Sequence, residues 1–267
     1  MSRTLKALFV SLPLALPLAL AAGSTQAQEF GYDEAERQQE LLGVWHEVRT
    51  GNAERGDLQA MFDVGMASYS GRGTEVDHDR AMHWLSQAAE ADHPRAHYYL
   101  GYMFAAGLGT EADPERSVEH YMRSAELGDP AGQYWLGSRY AGEEHRDHRR
   151  ALEWIGKAAG QGLPAAQYHL GYLHETGRGT RRDHAEAAKW YARAAEQGER
   201  PAQIRLGRLY QHGMGVERDL VEAYVWYSRA ADEERLAEVQ RRMNQQDLAT
   251  AESRLDEAGE VVGAAAP

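Results

Sequence analysis

The chain has 267 residues, no cysteine, and 41 acidic against 29 basic residues, for a net charge of −12. The missing thiols exclude disulfides, thiolate metal sites and cysteine nucleophiles. The acidic balance opposes binding to phosphate backbones or anionic lipid heads, so no nucleic-acid partner is expected.

Residues 1–27 read as a secretory signal. Arg3 and Lys6 precede an apolar run at 7–22, and small and polar residues lead to a cleavage point after Ala27, with Thr25 at the −3 position. An uncleaved anchor is the alternative, opposed by the shortness of the run and by Pro13 and Pro17 within it. No cysteine follows the run to carry a lipid. Loss of Arg3 and Lys6 leaves 27 basic and 41 acidic residues, a mature charge of −14. The expectation is export to the periplasm or beyond, with no membrane insertion after signal removal. Stability must then come from the apolar core, without disulfides.

Residues 28–56 are expected to form an N-terminal helical cap, with the helical stretch 33–50 resembling a degenerate second helix of the pairs described next and Trp45 in its tryptophan position. From 57 to 234 the sequence repeats. Gly65, Gly101, Gly137, Gly171 and Gly207 each follow an apolar residue, at spacings of 36, 36, 34 and 36. Asp77, Asp113, Asp147, Asp183 and Asp219 follow in register, then Trp84, His120, Trp154, Trp190 and Trp226, then a pair of small residues such as Ala158-Ala159. Four features aligned five times define five repeats, at about 57–92, 93–128, 129–162, 163–198 and 199–234.

Each repeat reads as two helices. Helix A opens at Pro94, Pro130, Pro164 or Pro201, where the missing N–H costs nothing. Helix B opens at the recurring aspartate, whose carboxylate accepts from the free N–H groups of a first turn. It closes near Gly128, Gly162 or Gly198. Ala151, Trp154, Ala158 and Ala159 share one face of helix B, and the tryptophan is expected to fill the space between neighbouring pairs. Residues 232–257 are expected to continue the last helix B and then start a new helix at Asn244 and Asp247, giving C-terminal capping helices over 235–257. A disordered tail is expected at 258–267.

The segments between helices A and B read "GRGT" (71–74, 177–180), "GLGT" (107–110) and "GMGV" (213–216). A dinucleotide loop needs a preceding strand, a third glycine and a helix directly on the loop. None of these is met, so the glycines read as turns. The third repeat lacks them. Its "AGEEHRDH" (141–148) predicts a tighter turn with unusual charge, where His145 and His148 with nearby carboxylates resemble zinc ligands. Asp147 is committed as a cap and three arginines crowd the place, so no metal and no cofactor are expected. There is no "HExxH", no nucleophile elbow and no S-x-x-K. No catalytic residue is assigned.

These residues resemble the Sel-one-like repeat (SLR) family, relatives of tetratricopeptide repeats. Residues 166–198 match its pattern nearly throughout, departing at His174; Ser68, His120 and the two-residue deletion in the third repeat are the other departures. The resemblance implies an all-α fold, a right-handed α/α solenoid of about five helix pairs with helical caps at both ends, and a concave groove lined by helix A. Cysteine-rich members linked to β-lactam binding or hydrolysis carry a disulfide framework that is missing here, so that role does not transfer.

Positions two before and one after the marker glycine share a face of helix A. They vary between repeats: Asp63 and Met66, Tyr99 and Tyr102, Trp135 and Ser138, His169 and Tyr172, Arg205 and Arg208. Aromatics and arginine are enriched at binding hot spots. Tyr99, Tyr102, Trp135, His169, Tyr172, Arg205 and Arg208 are therefore the candidate partner-binding residues, with Arg205 and Arg208 suited to an acidic segment. The aromatic one position earlier (Phe62, Tyr98, Tyr134, Tyr168) is assigned to core. The expected function is a non-enzymatic periplasmic scaffold, adaptor or regulator for a protein partner of the envelope or of signalling. The alternative is a glycan-binding module or cell-wall enzyme using a ladder of Tyr99, Tyr102, Trp135 and Tyr172.

Overall fold

A computed structural model of the chain describes residues 34–143 and 145–264, so the expected signal at 1–27 lies outside the described residues. Among the described residues there are thirteen α-helices and no strand. The chain forms two compact units that divide between Gly132 and Gln133.

The N-terminal unit holds α1 (Glu34–Ala53), α2 (Leu58–Ser70), α3 (His78–Glu90), α4 (Pro94–Ala106) and α5 (Pro114–Glu126). Its core gathers Phe62, Leu85, Leu100, Met103 and Phe104. Beginning at the division, the C-terminal unit takes most of α6 (Pro130–Ala141), then α7 (His148–Gly160), α8 (Pro164–Thr176), α9 (His184–Glu196), α10 (Arg200–His212), α11 (Leu220–Arg229), α12 (Glu233–Gln240) and α13 (Gln245–Ala264). Ile155, Leu170 and Leu173 form one part of its core, and Tyr191, Leu206, Leu209 and Trp226 the next. Within the units most consecutive helices pack on one another, and α13 packs on α11. No stacked pair buries its apolar face alone, so stability accumulates through neighbour contacts.

The recurring aspartates act as the sequence predicts. Asp77 accepts from Arg80 N–H at 2.9 Å, Asp183 from Glu186 N–H at 2.9 Å, and Asp219 from Val221 and Glu222 N–H. Glutamines at the fourth position of helix A add a second device. Gln167 and Gln203 are buried and donate to the carbonyls of Ala159 and Ala195, at the end of the preceding helix B.

The glycine segments are elbows, and each glycine has its own reason. Gly177, at φ 72°, ends α8 in the left-handed region and donates to the Leu173 carbonyl. Gly179, at φ 75°, lies so close to the His148 carbonyl that a Cβ would stand 2.1 Å from its oxygen. The first glycine terminates helix A; the second lets the elbow rest on the start of the preceding helix B. Gly109 over His78 and Gly215 over His184 repeat this contact. Gly73 rests on the Leu42 carbonyl of α1 in the same way, so α1 stands where a helix B would precede the first repeat.

The third elbow absorbs its deletion locally. In repeats one, two, four and five the capping aspartate donates its N–H to a carbonyl nine positions earlier, as Asp183 does to His174. In repeat three Asp147 donates to Tyr140, seven earlier, at 2.9 Å. With no glycine pair, Arg146 takes the left-handed turn at φ 42°. Its guanidinium pairs with Glu143 at 3.7 Å on an exposed surface.

Three expectations are corrected. The last helix B does not run on past 232: α11 ends at Arg229, Ala231 turns at φ 48°, and Asp232 caps a separate helix α12. Helix α13 continues to Ala264, through most of the stretch read as a disordered tail; 265–267 lie outside the described residues. The tryptophans fill the core in only two repeats: Trp84 and Trp226 are buried. Trp154 and Trp190 are half-buried, with Lys157 and Arg193 over their rings at 3.9 and 4.5 Å. The following residue (Leu85, Tyr121, Ile155, Tyr191 or Tyr227) is buried in every repeat, packed on the marker glycine. Facing helices cross so closely there that no side chain fits on helix A.

Candidate functional site

The variable positions of helix A fall into two patches, one in each unit. In the N-terminal unit, Tyr99 and Tyr102 lie on α4. Tyr102 is 44 % exposed and meets Tyr69 of α2 edge to face at 6.3 Å. Tyr99 is half-buried against Phe62, Tyr69 and Tyr98, with ring centroids 5.6–6.0 Å away. Burial, and next the neighbouring Tyr102, raise the Tyr69 hydroxyl above the usual phenol range. The Tyr69 hydroxyl therefore stays a neutral donor at physiological pH, suited to hydrogen bonds from an amphipathic surface.

In the first repeat the corresponding positions are not a free surface. Asp63 is buried, 3.3 Å from Arg49 of α1, and accepts from Gln59 at 2.9 Å. Burial raises its carboxyl above the usual range against the pull of these partners. The variable site is spent there on fastening the N-terminal helix.

In the C-terminal unit the candidates separate further. Trp135 is half-buried with Arg139 5.7 Å from its ring. His169 Nδ1 lies 2.6 Å from the Tyr134 hydroxyl, and burial lowers the pKa of this imidazole, keeping it neutral. It is a packing partner of Tyr134, so both halves of the pair are half-buried. Tyr172, Arg205 and Arg208 come together. Arg178 and Arg205 approach the Tyr172 ring at 5.4 and 5.7 Å.

Between the two arginines stands a residue that the sequence reading missed. Glu175, on α8, is 7 % exposed. It accepts from the Tyr191 hydroxyl at 2.6 Å, pairs with Arg205 at 3.4 Å and forms a short contact with Arg208. Burial, then the hydrogen bond to Glu175, push the Tyr191 hydroxyl far above the usual phenol range, so it acts as a fixed donor. Arg205 and Arg208, expected to be free for an acidic partner, are thus already turned onto a carboxylate of their own chain. In the next repeat the same geometry is neutral: the Tyr227 hydroxyl donates to Gln211 at 2.8 Å, and Gln211 donates to Glu238. A signal was present. Glu175 and Gln211 each lie four residues after a marker glycine, and each of these two repeats places tyrosine directly after the tryptophan.

Two hollows flank the arginine pair. One, of about 480 Å³, is lined by Arg200, Arg205, Arg208 and Arg235 with Tyr168 and Ile204. The other, of about 710 Å³, includes Arg182, His184 and His212 beside the same pair. Among the described residues there is no group of three or more potential ligands that could hold a metal ion, and no helix long and apolar enough to cross a membrane.

Fold and site together define a class: an all-α repeat protein whose helix pairs are built on fixed small residues and whose helix A faces carry variable side chains. The Sel1 repeat family model matches residues 58–93, 94–129, 130–163, 164–199 and 200–234, and the chain belongs to that family. Its repeats generally mediate protein–protein interaction and are typically non-catalytic. Among solved structures, a Sel1 repeat protein from Oxalobacter formigenes is 27 % identical, over 76 % of this chain and 88 % of that one, with a TM-score of 0.62. The antigen c5321, a protective antigen present in uropathogenic Escherichia coli strains, is 26 % identical over 87 % of this chain, with a TM-score of 0.56. This chain spans 62 % of the length of c5321. The immunity protein Pa5087 of Pseudomonas aeruginosa, 23 % identical over 84 % of this chain and 85 % of that one, shares the fold at a TM-score of 0.51. No match is found among curated proteins.

Proposed function

We propose that this chain is a non-enzymatic scaffold or adaptor of the bacterial envelope, exported to the periplasm, that holds a protein partner on its helix A faces. One observation carries the reading. Framework positions such as Ala60, Ala96, Ala166 and Ala202 are fully buried, whereas the variable Tyr102, Tyr172, Arg205 and Arg208 all retain exposed surface. A fixed scaffold presenting aromatic and arginine side chains matches the composition of protein-binding hot spots. The acidic composition and the sequence signal at 1–27 support export and a partner other than nucleic acid.

The glycan reading is less well supported. Stacking on a sugar needs an open aromatic face, and Trp135 and Tyr172 have guanidiniums near their rings. Tyr102 alone among the proposed ladder is exposed by more than a third.

The test is a cross-linking pull-down from envelope extract, repeated with purified components. A specific partner whose binding is weakened by Tyr102→Ala with Trp135→Ala is the expected result. A partner that binds this variant as well as the parent, or recovery of none, overturns the reading. Co-sedimentation with peptidoglycan in a parallel sample would favour the glycan reading instead.

A further inference from the structure

The arginine pair beside Glu175 points to the chemistry of the ligand. We infer that the two hollows around Arg205 and Arg208 form a docking site for an acidic peptide segment, with Glu175 as an internal carboxylate that occupies the arginines until the ligand arrives. This deepens the scaffold reading and rests on it.

The whole chain carries −12, yet the smaller hollow is lined by Arg200, Arg205, Arg208 and Arg235, with no carboxylate among its described lining residues. Such a local reversal of sign focuses attraction on an anion at one place of an otherwise repelling surface. The arginines are also held in place. Arg200 Nε donates to the Ala230 carbonyl at 2.7 Å, and Arg235 pairs with Asp232 at 2.5 Å. Asp232 offsets the charge of Arg235, but a carbonyl does not neutralise Arg200, and one Glu175 cannot neutralise both Arg205 and Arg208. Fixed forks of donors suit carboxylates in pairs.

Arg205 and Arg208 are 31 % and 40 % exposed while Glu175, at the edge of the larger hollow, is only 7 % exposed, so the cations present far more surface to solvent than their internal partner. A ligand carboxylate can approach the same guanidiniums from outside without displacing Glu175 from Tyr191. The apolar walls given by Tyr168 and Ile204 fit side chains of a peptide. A nucleic acid would bring a long line of phosphates against the acidic remainder of the surface, which disfavours it.

Glu175 makes the inference testable in a way that a structural ion pair would not. Gln211 shows that a glutamine at this place still accepts from the tyrosine of the following helix. Glu175→Gln therefore keeps the Tyr191 bond while freeing both arginines. The probe is a fluorescein-labelled octapeptide alternating glutamate and alanine, followed by anisotropy with the full chain at low and physiological salt. Its glutamine counterpart and a short single-stranded oligonucleotide serve as comparisons.

The parent should bind the acidic peptide, more weakly at higher salt, and the glutamine peptide at least about tenfold less tightly. Glu175→Gln should tighten binding about threefold or more, and Arg205→Gln with Arg208→Gln should weaken it about tenfold. The triple variant, which also carries Glu175→Gln and so leaves no stranded carboxylate, should be equally weak. Arg116→Gln, an exposed arginine on α5, should change nothing.

Absence of binding by the parent overturns the inference. So does Glu175→Gln binding that is unchanged or weaker, an arginine-independent affinity, or an oligonucleotide that binds more tightly than the peptide. If a partner is recovered by pull-down but ignores these substitutions, the scaffold reading stands and the arginine site falls. If none is recovered, the scaffold reading falls independently of the peptide result.

Discussion

Gly171 of α8 lies beneath the ring of Tyr191 of α9, so close that a Cβ would stand 2.8 Å from two ring carbons. The same approach recurs between Gly101 and Tyr121 and between Gly207 and Tyr227. The marker glycine is therefore a receptacle for a large, buried side chain of helix B. Alanine normally strengthens a helix interior relative to glycine by roughly 0.5–1 kcal/mol. Here overpacking should outweigh that gain: Gly171→Ala is expected to lower stability by about 1–3 kcal/mol in a urea titration. An unchanged or raised midpoint would show that the ring can move away.

The two elbow glycines should differ. Gly177→Ala forces alanine into the left-handed region, which costs about 1–2 kcal/mol. Gly179→Ala carries the same penalty and also drives a methyl into the His148 carbonyl at 2.1 Å. It should cost about 1 kcal/mol or more beyond Gly177→Ala, the scale of overpacking. Equal losses in thermal melts would remove the inter-repeat role of the second glycine.

Arg146 in the shortened third elbow offers a stabilising change. It holds φ 42° without being glycine, and its ion pair with Glu143 is exposed. Such a pair contributes about 0–1 kcal/mol at most. Arg146→Gly should raise stability by roughly 0.5–1 kcal/mol as the left-handed penalty disappears. A fall in the midpoint instead would mean that the charge, not the backbone, matters there.

A pH dependence follows from His120, which occupies the tryptophan position of the second repeat. Its Nδ1 lies 3.0 Å from His97 Nδ1, and its ring stacks on Phe104 at 5.3 Å. Burial first, then His97 and Arg116, lower its pKa to about 4. The unfolded chain binds this proton near the ordinary histidine value of about 6.5. Between these values the unfolded state carries more protons, so stability falls as pH drops from about 6.5 to about 4 and levels off below. His97, also lowered chiefly by burial, acts in the same direction. His120→Phe should flatten this part of the stability–pH curve. A slope unaffected by the substitution would assign it to other groups.

The repeat, its register, the aspartate caps, the prolines at helix starts and the glycine turns were legible without any structure. Each is a local signal: a cap or a turn needs partners within a few residues, and the 36-residue period displays the same local solution several times. The helix–helix approach itself was not local. That Tyr191 rather than Trp190 fills the space over Gly171 depends on which side of α9 faces α8, and small rotations of a helix exchange neighbouring residues between core and rim. The second elbow glycine likewise meets a carbonyl about thirty residues earlier. Most of the candidate site was named by position, yet its chemistry was decided in three dimensions. Arg205 and Arg208 reach Glu175 from the following repeat, across 30 and 33 residues of chain. Sequence alone determined what each repeat is made of. Tertiary packing decided which side chains of adjacent repeats meet, because those contacts are set by close approach of surfaces and not by spacing along one helix.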